Sequence, residues 1–164
     1  METIIIDTNN LLHKVGSLKM LLNQDKDIAV DTMIAKMQSN FPKKGAKIIL
    51  VFDGYGKNRQ IGSIEAKFSK TNVVKFENAD ELIKSLIDRA RNAKLLRIVT
   101  SDNEIAWYAR NSGCKIQSSS GFWGELKDKK FRQRVREGDI NEKPQVVTRV
   151  EYDYLLKEFT KKKK

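Results

Sequence analysis

The chain has 164 residues, of which 40% are hydrophobic and 32% are charged, and its formal net charge at neutral pH is +11. This length suits one domain with a working hydrophobic core and argues against a second folded unit. No apolar run approaches the roughly 20 residues that a membrane helix needs, and the N-terminus shows no signal-peptide pattern. We therefore expect one globular domain, residues 1–164, in the cytoplasm and without a membrane partner.

The predicted elements alternate between strands and helices. In chain order they are a strand at 3–6, a broken helix at 11–22, a helix capped by Asp27 and ending near Phe41, a strand at 47–52, a loop at 53–62, an ambiguous stretch at 64–69, a strand at 72–76, a helix at 78–92, a strand at 96–100, a helix at 102–112, a strand at 115–117, and helices at 122–136 and 148–159. This alternation predicts a three-layer α/β/α sandwich with a central, mainly parallel sheet. Residues 127–164 are expected to form a basic helical extension that ends in a frayed lysine tail.

Four aspartates follow apolar runs of the kind that form buried strands. They are Asp7 after residues 3–6, Asp53 after 48–52, Asp80 after 73–76, and Asp102 after 95–99. Because the carboxyl ends of parallel strands lie along one edge of a sheet, we expect these carboxylates to meet there. Clustered carboxylates repel each other unless a proton or a cation is present, and Mg²⁺ is a usual occupant of such oxygen-rich sites. The pattern therefore suggests metal-assisted chemistry on a phosphate ester.

Each acid also has a structural explanation. Asn78 to Glu81 matches a capping box, and Ser101 to Glu104 has the same form, so that these segments could simply begin helices. Asn10 could orient an acid or a water, or it could form an Asx turn. One site at the edge of the sheet nevertheless accounts for all four aspartates together.

Positive charge is concentrated in two segments. Residues 41–76 carry eight Lys or Arg against two acids, and residues 121–164 carry thirteen against eight. Such a surface favours a nucleic-acid partner, with a solvated basic face as the plainer alternative. The candidate nucleic-acid contacts are Lys57, Arg59, Lys67 and Lys70. Aromatic candidates for stacking on bases are Trp107, Tyr108, Phe122 and Trp123, although core packing is favoured for Trp107.

The single cysteine, Cys114, excludes an internal disulfide and any cysteine-built zinc site. Its position between a helix end and a strand indicates buried packing.

The chain contains several short sequence blocks, in an order that is typical of one family. They are residues 5–13 (IIDTNNLLH), 51–56 (VFDGYG), 68–70 (FSK), 78–83 (NADELI), 99–105 (VTSDNEI) and 118–122 (SSSGF) with 125–126 (EL). On these blocks the chain resembles the NYN group of PIN-like nucleases, and within it the bacterial YacP-like proteins. The first block has Asp7-Thr8-Asn9-Asn10 where the family usually has Asp-Gly-Tyr-Asn, and Asp7 and Asn10 match.

The resemblance implies a PIN-like fold and a metal-dependent endoribonuclease. The acids carried over are Asp7, Asp80 and Asp102, with Asp53 as a fourth metal ligand and with Asn10 and Ser101 in support. One or two Mg²⁺ or Mn²⁺ ions would lower the pKa of a bound water, which attacks the phosphodiester. The resemblance also implies RNA as a partner, suggests messenger RNA on the ribosome, and requires no small-molecule cofactor.

Other functions remain open at this point. The chief alternative is a non-catalytic RNA- or ribosome-binding module, which would be favoured if the acids were paired with Lys or Arg. A toxin of the PIN type would fit the acids as well. A phosphatase with an aspartyl-phosphate intermediate needs Asp-x-Asp after the first strand, and this chain has Asp7-Thr8-Asn9 there.

Overall fold

The structure is a computed structural model that describes residues 1–14, 16–41 and 45–126. The chain divides into two units, Met1–Trp123 and Gly124–Lys164, and the fold below belongs to the first. The predicted extension at 127–164 and its helix at 148–159 lie outside the described residues. Within them, no helix is long and apolar enough to cross a membrane.

The described part of the chain contains one sheet of six strands. They are β1 (Glu2–Asp7), β2 (Ala46–Tyr55), β3 (Arg59–Ile61), β4 (Ile64–Lys70), β5 (Leu96–Val99) and β6 (Lys115–Gln117). The spatial order is β3-β4-β2-β1-β5-β6, in which β3 is antiparallel to β4 and every other pair is parallel. The predicted mainly parallel sheet is confirmed, with β1 and β2 at its centre.

Helices cover both faces of this sheet. They are α1 (Thr8–Lys14), α2 (Gly16–Gln24), α3 (Lys26–Asn40), α4 (Ala79–Asp88) and α5 (Asn103–Asn111), with a short 3₁₀ turn at Ala93–Leu95. Residues 119–126 are also helical, so the helix predicted from 122 begins three residues earlier. The buried side chains of α4 and α5 pack against Ile5, Val51 and Ile98 of the sheet. Cys114 lies in the same cluster, as expected. Ile4 and Ile6 point to the opposite face because side chains alternate along a strand, and both are buried on the side of α1 and α3. The predicted α/β fold is confirmed.

Two helices begin at residues other than those predicted. The N-cap of α3 is Asp25, whose carboxylate accepts a hydrogen bond from the backbone N–H of Ile28 at 3.1 Å, while Asp27 lies in the first turn. The N-cap of α5 is Asp102 and not Ser101. The apolar stripe of a helix sets the buried face but not the first residue, and these sequences offer more than one residue that can cap.

Asn78 caps α4 as predicted, accepting from the backbone N–H of Glu81 at 3.0 Å. The return bond of the capping box is replaced by an ion pair. Lys84 lies 3.3 Å from a carboxylate oxygen of Glu81 and 2.9 Å from one of Glu104. The Lys84–Glu104 pair therefore links α4 to α5, and the Lys84–Glu81 pair lies within α4.

The prediction of a loop over residues 53–62 is wrong. Strand β2 continues through Tyr55, with a register shift against β4 between Phe52 and Tyr55, and residues 59–61 form β3. Gly54 has φ near 89°, a conformation that side chains rarely adopt. The glycines that suggested a loop therefore serve an irregular strand end.

The predicted strand at residues 72–76 is also wrong. Only an isolated antiparallel bridge between Lys70 and Lys75 occurs there, and Val73 is 91% exposed. Two adjacent valines have high β propensity, but that propensity reflects packing on a half-buried surface, which this segment does not have. The ambiguous stretch before it is strand β4.

Candidate metal centre

Asp7 is the last residue of β1 and is only 5% exposed. One carboxylate oxygen accepts from the backbone N–H of Asn10 at 3.3 Å, and the other accepts from the hydroxyl of Thr100 at 3.1 Å. Burial raises the pKa of Asp7 to about 6 against the opposing effect of these two hydrogen bonds, and the charges of Asp80 and Asp102 raise it further. Asp7 is thus the buried centre of a group of acids.

Asp80 lies in the first turn of α4 and is half-buried. Burial raises its pKa, the charges of Asp102 and Glu104 raise it further, and Lys84 lowers it. In the part of the chain that the structure describes, no hydrogen bond or ion pair engages its carboxylate. The charge of Asp102 thus acts on both Asp7 and Asp80, although Asp80 lies in the first turn of α4 and not at the end of the predicted strand.

Asp102 combines a cap with this site. One of its carboxylate oxygens accepts from the backbone N–H groups of Glu104 at 2.9 Å and Ile105 at 3.1 Å. Its own N–H donates to the hydroxyl oxygen of Thr100 at 3.1 Å. Since that hydroxyl donates to Asp7, Thr100 connects the ends of β1 and α5 and positions two of the acids.

Asn10 and Ser101 belong to a buried network beside the acids. The side-chain oxygen of Asn10 accepts from the N–H of Ser101 at 2.9 Å and from the hydroxyl of Ser119 at 2.7 Å. The N–H of Ser119 donates to the hydroxyl of Ser101 at 3.1 Å. These contacts join the segments that directly follow β1, β5 and β6. The side-chain amide of Asn10 therefore has a structural role, because it positions the backbone that carries the acids.

Sequence reasoning missed Thr100 and Ser119 as site residues. Both are buried polar side chains, and each follows a strand that ends at the acidic edge. The same rule that selected the aspartates, a polar residue just after a strand, could have found them. A hydroxyl carries no charge, so it did not stand out in the sequence.

Asp53 lies beside the group but has other contacts. One carboxylate oxygen accepts from the hydroxyl of Ser69 at 3.0 Å and from the backbone N–H of Ala79 at 3.1 Å. Its N–H donates to the side chain of Asn9 at 3.0 Å. The charge of Asp53 acts on Asp80. These bonds join β2, β4 and α4, and a role of Asp53 as a fourth metal ligand stays a prediction.

The chemistry of the donor set fits a hard divalent cation. Asp7, Asp80 and Asp102 offer carboxylate oxygens, which Mg²⁺ and Mn²⁺ prefer, and the pKa values of Asp7 and Asp80 are raised in part by neighbouring acids. None of the three forms an ion pair with Lys or Arg among the described residues. In that same part of the chain, no three His, Cys, Asp or Glu side chains are placed closely enough to hold an ion.

The four candidate RNA contacts differ in their surroundings. Arg59 forms ion pairs with Asp27 and Asp31 of α3, so its charge is already compensated. Lys67 lies 3.5 Å from Glu65 on the same strand. Lys57 is exposed between β2 and β3, and Lys70 is half-buried at the end of β4. Among the described residues, Lys57 and Lys70 form no ion pair, whereas Arg59 has a structural contact with α3.

The candidate aromatic residues differ in their exposure to solvent. Trp107 is 65% exposed, so the expectation of core packing is wrong, because the buried side of α5 is formed by Ile105 and Ala109. Phe122 is fully buried and stacks on Phe41 with a centroid distance of 5.7 Å. Phe122 is therefore a core residue and unavailable to a base.

The mainly parallel six-stranded sheet with helices on both faces is the α/β fold of PIN-like proteins of the NYN type. The model of the YacP-like NYN domain matches residues 4–163, and the chain belongs to that family, within the PIN-like nuclease superfamily.

Individual relatives agree with this assignment. The chain is 28% identical over 152 residues to the uncharacterized protein YacP of Bacillus subtilis strain 168, covering 88% of this chain and 86% of that protein. A crystal structure of a single-residue mutant of Rae1 (YacP) from Bacillus subtilis matches with a TM-score of 0.63 and 26% identity, over 87% of this chain and 86% of that one. A second crystal structure of Rae1 matches with a TM-score of 0.61 at 23% identity over 99% and 95%, which shows the fold.

Proposed function

We propose that this protein is a divalent-metal-dependent endoribonuclease that hydrolyses RNA phosphodiester bonds. The observation that carries the proposal is the position of Asp7 at a strand end, where burial raises its pKa and the charges of Asp80 and Asp102 raise it further. Burying a carboxylate among like charges costs free energy, and a cation would offset that cost. Membership in a nuclease superfamily makes RNA cleavage the activity that such a site would serve.

Asp7, Asp80 and Asp102 would hold Mg²⁺ or Mn²⁺. Such an ion supplies a bound water of lowered pKa and stabilises negative charge on the leaving oxygen. Thr100 positions Asp7 through its hydroxyl, and the backbone of Asn10 holds the other carboxylate oxygen. The α5 cap uses one oxygen of Asp102.

Water is the nucleophile in this proposal. The only thiol, Cys114, is buried in the core between α4, α5 and the sheet. Its burial argues against a role as a covalent nucleophile. Cleavage by water at phosphorus leaves no 2′,3′-cyclic phosphate, whereas attack by the RNA's own 2′-hydroxyl does. The ends of the RNA products therefore distinguish the two routes.

A non-catalytic RNA- or ribosome-binding module is the second candidate, and the basic balance of residues 41–76 supports it. Such a module needs cations on its surface, but it has no use for three carboxylates without a basic partner. The unpaired acids make the nuclease the stronger proposal.

The first experiment is calorimetric titration of the full-length protein with Mn²⁺, which requires no knowledge of the substrate. We expect binding that Asp7→Asn, Asp80→Asn or Asp102→Asn each weakens at least tenfold. Asn is as good an N-cap as Asp, so Asp102→Asn preserves α5. Asp25→Asn is the matched control, because it makes the same exchange at the cap of α3.

Absence of Mn²⁺ binding by the parent protein, both alone and with RNA present, would remove the nuclease proposal and leave the binding module. Cleavage of labelled single-stranded RNA then tests the activity itself, and it should depend on Mg²⁺ or Mn²⁺ and on the same three aspartates. Action on messenger RNA at the ribosome is a finer prediction that rests on the family resemblance. A comparison of cleavage in translating ribosomes and in free messenger RNA would test it.

A further inference from the structure

Residues 69–76 fold into a short hairpin that extends β4 beyond the edge of the sheet. At its base, the N–H of Phe76 donates to the carbonyl oxygen of Ser69 at 2.7 Å. Lys70 and Lys75 face each other as an antiparallel bridge one step further out. The two lysines are therefore held side by side by the backbone.

The tip of this 69–76 hairpin is held by hydrogen bonds and exposes two valines. The N–H of Thr71 donates to the carbonyl oxygen of Val74 at 2.8 Å, and the hydroxyl of Thr71 accepts from the N–H groups of Val73 and Val74 at 3.3 and 3.0 Å. Val73 and Val74 are both exposed. Apolar side chains on a well-bonded turn are presented to solvent at a defined position, which favours a binding contact.

The hairpin stands next to the acids. The hydroxyl of Ser69, at its base, donates to Asp53 at 3.0 Å, and the same oxygen of Asp53 accepts from the N–H of Ala79 at 3.1 Å. Asp80 is the next residue along α4. A ligand lying on the hairpin would therefore be within reach of the metal centre.

Tyr55 adds an exposed aromatic ring on a fixed backbone beside the hairpin. It pairs with Lys70 in the sheet register, and the N–H of the following Gly56 donates to the carbonyl oxygen of Lys70 at 3.1 Å. Lys26 donates to the carbonyl oxygen of Tyr55 at 2.7 Å. The Tyr55 side chain itself is 57% exposed.

This combination suits a nucleic acid with unpaired bases. An exposed ring offers a face for a base, and the neighbouring lysines offer charge to the phosphates on either side of it. In a duplex the bases are already stacked on one another, and the molecule exposes mainly its sugar-phosphate backbone. A duplex would therefore contact the lysines but would not stack on the ring of Tyr55.

We propose that Tyr55 and the 69–76 hairpin form a binding surface for single-stranded RNA. Tyr55 stacks on an unpaired base, and Lys70 and Lys75 contact the phosphates that flank it. The proposal rests on the proposed nuclease function and defines where its substrate binds and in which form. It is separable from that function, because RNA can bind without being cut.

The test is fluorescence anisotropy of a labelled single-stranded RNA oligonucleotide with the full-length protein in EDTA, where no metal-dependent cleavage occurs. We expect Tyr55→Ala to weaken binding by about 5- to 100-fold, the range of base–aromatic stacking, and Tyr55→Phe to retain the parent affinity. A blunt RNA duplex should show little difference between Tyr55→Ala and the parent.

The lysines are tested by the dependence of affinity on salt. For single-stranded RNA, the double variant Lys70→Gln/Lys75→Gln should reduce the slope of log affinity against log salt by about 1.4, or about 0.7 for each phosphate contact. The matched control is Lys94→Gln/Lys115→Gln. These lysines lie just before β5 and at the start of β6, and so at the opposite end of the parallel strands. The control should leave the slope unchanged.

If Tyr55→Ala binds single-stranded RNA as tightly as the parent does and unfolds at the same temperature, the proposed RNA-binding surface is wrong. That result would not affect the proposed metal centre. Equal losses in the two double-lysine variants would also overturn it, because they would indicate general charge attraction. Conversely, loss of RNA binding in Tyr55→Ala together with no cleavage by the parent in any metal would support the surface and contradict the nuclease.

Discussion

At the scale of single residues, Asp7 should reduce the stability of the metal-free protein. Burial raises its pKa to about 6 from 3.8, so the folded state binds more protons than the unfolded state between these pH values. The free energy of unfolding therefore falls as pH rises through that window.

We expect Asp7→Asn to raise the free energy of unfolding by up to about 3 kcal/mol near pH 8 and to have little effect below about pH 4. Denaturant unfolding in EDTA at both pH values measures this difference. A variant that is destabilised equally at the two pH values would show that the carboxylate's hydrogen bonds outweigh its burial cost.

Gly56 is a second position at which a single substitution should change the stability of the fold. A Cβ there would overlap the ring of Phe68, which is buried and stacks on Phe52 with a centroid distance of 5.2 Å. We expect Gly56→Ala to lower the free energy of unfolding by roughly 1–3 kcal/mol. Gly124→Ala is the control and should not destabilise, because a Cβ there meets no atom of the described residues within 4 Å. Equal stability of both variants would contradict the contact.

At the scale of elements, β3 is attached to α3 through Arg59 and its partners Asp27 and Asp31. Arg59→Gln should lower the free energy of unfolding by about 1 kcal/mol, the upper range for an ion pair near the surface. Lys57→Gln, in the adjoining loop, should leave stability within about 0.5 kcal/mol and weaken RNA binding instead. Chemical unfolding and anisotropy on the two variants would separate these roles, and a reversed result would make Arg59 the RNA contact.

At the scale of the whole molecule, metal binding should be visible as stability. A ligand that binds only the folded state at about 100 times its dissociation constant adds about 2.7 kcal/mol, which raises Tm by roughly 5–10 °C in a chain of this size. Mn²⁺ should therefore raise the Tm of the parent and of Asp25→Asn by this amount, and that of Asp7→Asn by half of it or less.

The same shift should grow as pH rises through the window set by Asp7. A cation must displace a proton from a carboxyl whose pKa is about 6, so Mn²⁺ affinity increases between roughly pH 5 and 7. Scanning calorimetry at several pH values, with Mn²⁺ or EDTA, measures this dependence. A Tm increase of equal size in the parent and Asp7→Asn would place the bound ion elsewhere.

The sequence by itself determined the α/β class, the central strands and the position of Asp7 at the end of β1. Continuous apolar runs such as residues 4–6 and 48–52 can be buried on both faces only in the middle of a parallel sheet, and their ends are marked by Asp7 and Asp53. These are local patterns, so they can be read without knowing which segments meet.

Only the tertiary structure decided which polar groups share the site and which cations stay free. Thr100 and Ser119 became part of it through bonds to residues 93 and 109 positions away, and Arg59 was neutralised by a helix 28 and 32 positions before it. The exposed hairpin at residues 69–76 has the composition of a strand but no neighbour on which to pack. Partners distant in sequence set hydrogen bonding, charge compensation and burial, and a linear pattern does not contain them.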